Sequence, residues 1–249
     1  MRRVVGIIPA RYGSTRFPGK PLVDIGGKTM IMRVVERAQS CAHLCDMIVA
    51  TDDQRIYDHV KSHGAKVVMT SPDHPSGTDR CLEAYEKWGG TAEAVLNIQG
   101  DEPFVAEEQL SALVELMQNP DVEIATLAKR IEEETVLFDP NKVKVVFSES
   151  GRALYFSRQA IPFQKSAPPA EWLQHHAYYK HIGLYAYQLE TLKSICTLSP
   201  SPLEKMESLE QLRWLENGRL IYVAKTTVET PAIDSPADLE ALLRNGLVS

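Results

Sequence analysis

The sequence predicts an α/β fold of the Rossmann-like kind: a mostly parallel sheet with helices on both faces, interrupted by a smaller β-rich subdomain. Three observations predict it. Short apolar runs alternate with helical stripes through the first half of the chain, the signature of a parallel sheet with crossover helices. The first of those runs, residues 4–8, opens straight into a basic loop rich in Pro, Gly, Ser and Thr. From about residue 140 the pattern changes to longer alternating runs divided by a Ser150-Gly151 turn, which is antiparallel patterning.

In chain order, strands are expected at 4–8, 47–51, 66–69, 94–99 and 123–129, each a short apolar run bounded by turn residues. Between them, Met30, Ile31, Val34, Val35 and Ala38 fall at i, i+1, i+4, i+5 and i+8, and Leu110, Leu113, Val114 and Met117 repeat the pattern. Both stripes read as core. After the third strand, Thr78 is expected to start a helix that runs through Cys81, Leu82 and Tyr85. Alternating runs at 142–148 and 153–158, a proline-containing stretch at 164–170 and another β-like run at 179–187 make up the later part. Two further helices and a strand at 220–224 follow, and a last helix, capped by Ser235 with Pro236 at its first position, closes the pattern. The expectation is one domain over residues 1–249. Its β-rich excursion, about 140–190, is of the kind that forms lids and dimer contacts.

Composition narrows the function classes. The chain has 249 residues, 44% hydrophobic and 24% charged, which is ordinary for a soluble globular protein. Its opening apolar run is a few residues long and ends in a proline and an arginine, unlike a signal peptide or a membrane span. A cytoplasmic protein without membrane insertion is expected. Cys41, Cys45, Cys81 and Cys196 show no C-x-x-C spacing, which argues against a zinc site or a disulfide framework and makes them small apolar fillers. The net charge of -6 and the lack of a second basic cluster argue against a nucleic-acid surface.

Against that acidic total, the first 23 residues carry Arg2, Arg3, Arg11, Arg16 and Lys20 and no acid until Asp24. A buried strand opening into a basic, glycine-containing loop is how α/β folds cradle phosphates, through converging backbone N–H groups and cations. A solvated basic loop is the alternative. The Walker pattern fails, because five residues rather than four separate Gly13 and Gly19 and Pro21 stands where a hydroxyl is needed. No G-x-G-x-x-G follows the strand. Further on, Asn97-Ile-Gln-Gly-Asp-Glu-Pro103 ends the fourth strand at the sheet's carboxyl edge, where ligands of open α/β sheets bind. Asp101 there suits a magnesium ion completed by phosphates and water, or else caps the helix beginning near Ala106. Asp234, before the last helix, is a second metal carboxylate or a turn residue. Two such acids meeting over a triphosphate would support two-metal phosphoryl chemistry. The turn His74-Pro-Ser-Gly-Thr-Asp-Arg80 can present backbone groups to a base or ribose, and Arg158, His181 and Tyr185 lie on extended segments of the β-rich part. His43, His59, His63, His175 and His176 read as structural.

The segments PARYGSTRFPGKPL, ATDD, HPSGTDR, NIQGDEP, ALYFSRQAIP, KHIGLYAY, PSPLEKMESLEQLRWLENG and IDSPADLE together resemble the 3-deoxy-manno-octulosonate cytidylyltransferases, the CMP-Kdo synthetases, in the family's order over nearly the whole chain. The resemblance implies a GT-A-like nucleotidyltransferase fold. It implies transfer of CMP from CTP to the anomeric hydroxyl of an eight-carbon sugar acid, with release of pyrophosphate, for lipopolysaccharide synthesis, with magnesium (Mg2+) and as a homodimer. By position, Arg11, Ser14 and Lys20 match phosphate contacts, and Pro9, Ala10, Ser76, Gly77 and Arg80 match segments around the base and triphosphate. Gln99 and Asp101 fall at the nucleotide and metal positions, and Asp234 at the second metal carboxylate. Arg16, Arg158, His181, Tyr185, Glu210 and Gln211 resemble the sugar-acid pocket, where an arginine suits a carboxylate and paired donors and acceptors suit hydroxyls. Lys180 stands where Arg is commoner, Phe17 where Leu is commoner, and residues 229–232 replace a more glycine-rich approach to Asp234. Rival readings are a CMP-sialate synthetase or another sugar nucleotidyltransferase, and a non-catalytic nucleotide-binding module.

Overall fold

The computed structural model describes residues 1–13, 17–231, 233 and 235–244. Its strands are β1 (Val4–Ala10), β2 (Leu44–Thr51), β3 (Val67–Met69), β4 (Ala94–Asn97), β5 (Ile124–Arg130), β6 (Lys144–Phe147), β7 (Ala153–Ser157), β8 (Tyr179–Gln188) and β9 (Ile221–Thr226). Its helices are α1 (Met30–Gln39), α2 (Gln54–Ser62), α3 (Gly77–Trp88), α4 (Glu107–Leu116), α5 (Glu134–Phe138), α6 (Trp172–His175), α7 (Leu189–Ile195), α8 (Pro202–Glu207), α9 (Glu210–Glu216) and α10 (Pro236–Arg244). They form two compact units, Met1–Val114 with Thr230–Ser249, and Glu115–Glu229. The architecture is the Rossmann-like α/β fold expected.

In the first unit the strand order is β3-β2-β1-β4 and every pairing is parallel. A parallel strand buried on both faces needs an unbroken apolar run, and Val4, Val5, Ile7 and Ile8 of β1 are all fully buried. Both expected helical stripes are buried, Met30 to Ala38 on α1 and Leu110 to Met117 on and just after α4. Helix α3 starts earlier than expected: Ser76 is its cap, accepting from the Asp79 N–H at 3.2 Å while its own hydroxyl donates to the Asp79 carboxylate at 2.6 Å. Thr78 is instead buried in the first turn. At α10 the expected cap holds: the Ser235 hydroxyl accepts from the Asp238 N–H at 3.3 Å, the Asp238 carboxylate accepts from the Ser235 N–H at 2.7 Å, and Pro236 is the first helical residue.

In the second unit β5 pairs parallel with β9 and antiparallel with β8, and the runs expected at 142–148 and 153–158 form the antiparallel hairpin β6–β7. Gly151, at φ 83°, closes that hairpin with its N–H on the Ser148 carbonyl at 2.9 Å. Along β8 the register jumps from Thr126↔Tyr185 to Leu127↔Ile182, so Gly183 and Leu184 bulge from the ladder. Trp214 of α9 packs edge-on against Tyr185 and Tyr187, with centroids at 5.2 and 5.5 Å.

All four cysteines are free thiols. Cys41 and Cys81 are buried as expected, but Cys45 is exposed, since the first residues of β2 alternate outward before its buried half begins. Among the described residues no helix is long and apolar enough to cross a membrane.

Candidate active site

The carboxyl ends of β1 and β4 and the start of α3 converge on one cavity of about 240 Å³ in the first unit. Pro9, Ala10 and Arg11 line it from β1, Lys20 from the basic loop, His74, Ser76, Gly77 and Arg80 from the turn into α3, and Gln99, Gly100 and Asp101 from the turn after β4. Sequence proximity could not bring these together. The parallel register does, since Val4 to Ile7 of β1 pair with Ala94 to Asn97 of β4 and the Ile98 N–H carries on to the Ile7 carbonyl at 2.9 Å. Gly100 then crosses close over β1: a Cβ there would lie 2.6 Å from the Pro9 carbonyl oxygen.

The basic loop is tied shut at its mouth. The Gly19 N–H donates to the Tyr12 carbonyl at 3.0 Å, with Gly19 at φ 72° and the Tyr12 ring lying against its Cα. On Tyr12 rests the Arg55 guanidinium, 3.3 Å from the ring centroid, itself held by Asp53 at 2.6 and 2.9 Å. Lys20 leaves the loop toward the cavity. Its ammonium donates to Asp101 Oδ2 and to the Ile233 carbonyl, both at 2.8 Å. The Ile233 N–H returns to the Asp101 carbonyl at 3.4 Å, and its side chain is buried with Ile25, Met30 and Leu242, against which Phe17 packs. Asp101 is therefore a cavity residue paired to a lysine. The cap reading fails because α4 begins at Glu107, six residues later, and the Ala106 N–H is taken by Gln109.

Arg80 is buried, donating to Asp52 at 2.8 Å and to the Thr70 hydroxyl at 2.5 Å. Asp52, from the ATDD segment, and Tyr12 with Arg55 were not singled out in the sequence; they hold Arg80 and the loop in place, and only tertiary contact reveals it. The same turn is braced by Glu83. Burial alone would raise its pKa, but hydrogen bonds from Lys87, the Ser71 N–H and His74 outweigh that and bring it down to about 2. Ser14, Arg16 and Asp234 lie outside the described residues. Among the described residues no three His, Cys, Asp or Glu side chains gather as a metal centre. The Asp101 carboxylate, about a third exposed on the cavity wall, nonetheless fits magnesium, which takes one or two carboxylates and completes its shell with phosphate and water.

The other expected site residues belong to the second unit. His181 and Tyr185 lie on β8 with centroids 5.3 Å apart, and Glu210 and Gln211 open α9, whose Trp214 packs on Tyr185. Ringed by Phe156 and Tyr185, the imidazole is pushed by burial down to about 3, so it is uncharged at neutral pH. Burial, and after it the charge of Glu210, holds the Tyr185 phenol well above its usual range. Gln211 is buried.

Arg158 commits its guanidinium to the backbone. Its Nε, Nη1 and Nη2 donate to the carbonyls of Glu207, Pro140 and Ser208 at 2.6, 3.1 and 3.3 Å. Glu207 in turn accepts from the Ser157 hydroxyl at 2.7 Å and the Arg158 N–H at 2.9 Å. Arg158 thus grips the turn, left-handed at Ser208 with φ 51°, that leads into Glu210 and Gln211. Beneath it Lys144, fully buried, donates to the carbonyls of Asp139 and Arg158 at 2.9 and 2.5 Å, and burial lowers its pKa. Two departures from the family pattern meet here: Lys180 pairs with Glu229, which Lys129 also holds at 2.9 Å. Burial would raise Glu229, but those two lysines bring it down to about 2.

A family model described as cytidylyltransferase matches residues 5–221. A 3-deoxy-manno-octulosonate cytidylyltransferase from Bacteroides thetaiotaomicron is 55% identical over 249 residues, covering 98% of this chain and 99% of the relative. One of the same name from Cytophaga hutchinsonii is 53% identical over 237 residues, covering 95% and 94%. Among solved structures, CMP:2-keto-3-deoxy-manno-octonic acid synthetase complexed with CTP superposes with a TM-score of 0.90 at 40% identity, covering 98% of this chain and 99% of that one. A cytidylyltransferase from Leptospira borgpetersenii, at 16% identity and a TM-score of 0.59, shares the fold.

Proposed function

The chain belongs to the 3-deoxy-manno-octulosonate cytidylyltransferase family, and from that premise we propose that it transfers CMP from CTP to the anomeric hydroxyl of 3-deoxy-manno-octulosonate, releasing pyrophosphate. The observation that carries this reading is the cavity where Arg11, Lys20 and the N-terminus of α3 face Asp101 at the carboxyl edge of a parallel sheet. Such an edge, with a helix N-terminus and cations, is where a triphosphate is held.

Free triphosphate and sugar carboxylate repel each other. Lys20 and Arg11 lower that repulsion by offsetting phosphate charge, and Lys20 is prepositioned by its bonds to Asp101 and the Ile233 carbonyl. Asp101, with Asp234, would hold magnesium, which when bound supplies charge neutralisation and activation of the attacking oxygen. In the second unit, Tyr185, Glu210, Gln211 and the uncharged His181 supply donors and acceptors for a polyhydroxy substrate. No Ser, Cys or His nucleophile with an adjacent base is needed. The reaction is a single in-line displacement at the α-phosphorus, driven by positioning and charge. Family membership also supports a homodimer, a cytoplasmic place and a product destined for lipopolysaccharide.

A pyrophosphate-release assay across the four ribonucleoside triphosphates, with 3-deoxy-manno-octulosonate and a sialic acid as acceptors, tests the reading. Turnover is expected with CTP and the eight-carbon acid. Turnover with sialic acid alone points to the rival synthetase, and none with any pair to a binding module. Retention of configuration at a chiral α-phosphorus would exclude the single displacement.

A further inference from the structure

Thr126, in the middle of β5, is fully buried and was not among the expected site residues. Its hydroxyl sits where β8 bulges. It donates to the Leu184 carbonyl at 2.8 Å, lies 3.2 Å from the Ile182 carbonyl, and is 3.0 Å from His181 Nε2. A hydroxyl has one proton, and both carbonyls are acceptors only. With that proton directed to the bulge, the Thr126 oxygen can meet His181 solely as an acceptor. The imidazole must then carry its proton on Nε2. Nδ1, left as the lone-pair nitrogen, has no hydrogen-bond partner among the described residues.

We propose that Thr126 is a positioning residue that locks His181 in the Nε2–H tautomer, so that Nδ1 serves as a hydrogen-bond acceptor for a hydroxyl of the sugar acid. This rests on the functional reading above, which makes His181 part of the sugar-acid site. The bulge is what makes the device possible. A regular antiparallel ladder would pair the Leu184 and Ile182 carbonyls with backbone N–H groups of β5, and the Thr126 proton would then be available to point at the imidazole. The opposite tautomer would follow, with a donor facing the substrate. The choice matters because a site built to accept a substrate hydroxyl loses most of its discrimination when its acceptor is turned into a second donor. An uncharged ring is required for the distinction to exist, and the enclosure of His181 by Phe156 and Tyr185 keeps it so.

The test has two arms on the full-length protein. Nitrogen-15 NMR of the histidine-labelled wild type at neutral pH, without substrate, reads the tautomer directly: His181, assigned by its absence in His181→Asn, is expected to show a protonated Nε2 and a bare Nδ1. A protonated Nδ1 overturns the proposal whatever the enzyme turns over. In the second arm, Thr126→Val keeps the shape and removes the hydroxyl. It is expected to raise the KM for the sugar acid by about ten-fold or more, to leave the KM for CTP within about two-fold, and to yield mixed tautomers in the spectrum, while Thr126→Ser restores both. A Val variant with the wild-type spectrum and KM overturns the proposal. Should Thr126→Val fail to fold, the wild-type spectrum and the Ser variant still decide. If no sugar acid is turned over by the wild type, the functional reading fails while the tautomer result stands by itself.

Discussion

Replacing Gly100 with alanine puts one methyl group between the turn after β4 and the end of β1. The added Cβ would lie 2.6 Å from the Pro9 carbonyl oxygen, 3.5 Å from its carbon and 3.7 Å from the Ala10 Cα, all of them backbone atoms. No side chain can swing aside. Ordinary contact starts near 3.4 Å, so the two segments must part by about 0.8 Å. Overpacking of this kind costs about 1–3 kcal/mol, which for a chain of this size lowers the melting temperature by about 2–12 °C. The larger effect is on activity, because Pro9, Ala10, Gln99 and Asp101 all line the cavity and the shift moves one wall against the other. A misplacement of about 1 Å costs about 100-fold in rate, so kcat/KM for CTP in the pyrophosphate-release assay is expected to fall by roughly that factor. Gly100→Ala with wild-type kcat/KM would refute the claim that this close crossing sets the cavity.

Three further outcomes follow from the same geometry. Lys20→Met removes the cation that bridges Asp101 and the Ile233 carbonyl, and kcat/KM for CTP should fall by about 100-fold or more; a loss below about five-fold would take Lys20 out of the phosphate site. Arg158→Lys cannot reach three carbonyls at once, so the turn into Glu210 and Gln211 loosens and the KM for the sugar acid should rise about ten-fold, with the KM for CTP unchanged; equal rises in both would contradict the strut role. The pH dependence of stability has two windows. His181 is held at about 3 when folded against about 6.5 unfolded, so its contribution is complete above pH 6.5 and is lost as pH falls toward 3. Glu83 and Glu229 are held at about 2 against 4.5, so theirs is complete above pH 4.5 and is lost as pH falls toward 2. Denaturant unfolding across pH should therefore show His181→Asn flattened between pH 6.5 and 4.5, and Glu229→Gln flattened only below 4.5; a His181→Asn curve parallel to wild type in the upper window would disprove the first assignment.

How much of this was legible in the chain depended on the range of the interaction. Strands and helical stripes rest on local periodicity, which is why β1 through β5, the β6–β7 hairpin and the Ser235 cap lie where the residues placed them. The cavity residues were legible as a set because Arg11, Lys20, Gly77 and Asp101 each lie on the connection that follows a strand, and a parallel sheet gathers such connections on one edge. Capping was less so: Ser76 and Thr78 are both good caps, and which one starts α3 depends on the reciprocal bond with Asp79. What stayed hidden were the struts. Arg158 reads from sequence as a cation for a carboxylate, since nothing local shows that three of its N–H groups face the carbonyls of Pro140, Glu207 and Ser208. Lys180 and Glu229 each look like a lapse from the family pattern, and nothing local shows that they are the two halves of one ion pair. Thr126 is the extreme case. Threonine in a strand needs no explanation beyond its β preference, and its meaning arises only when a bulge 56 and 58 residues away turns two carbonyls toward it and leaves its oxygen facing a histidine. A single proton then propagates a backbone irregularity into the chemistry of a side chain, which no pattern of residue types along the chain encodes.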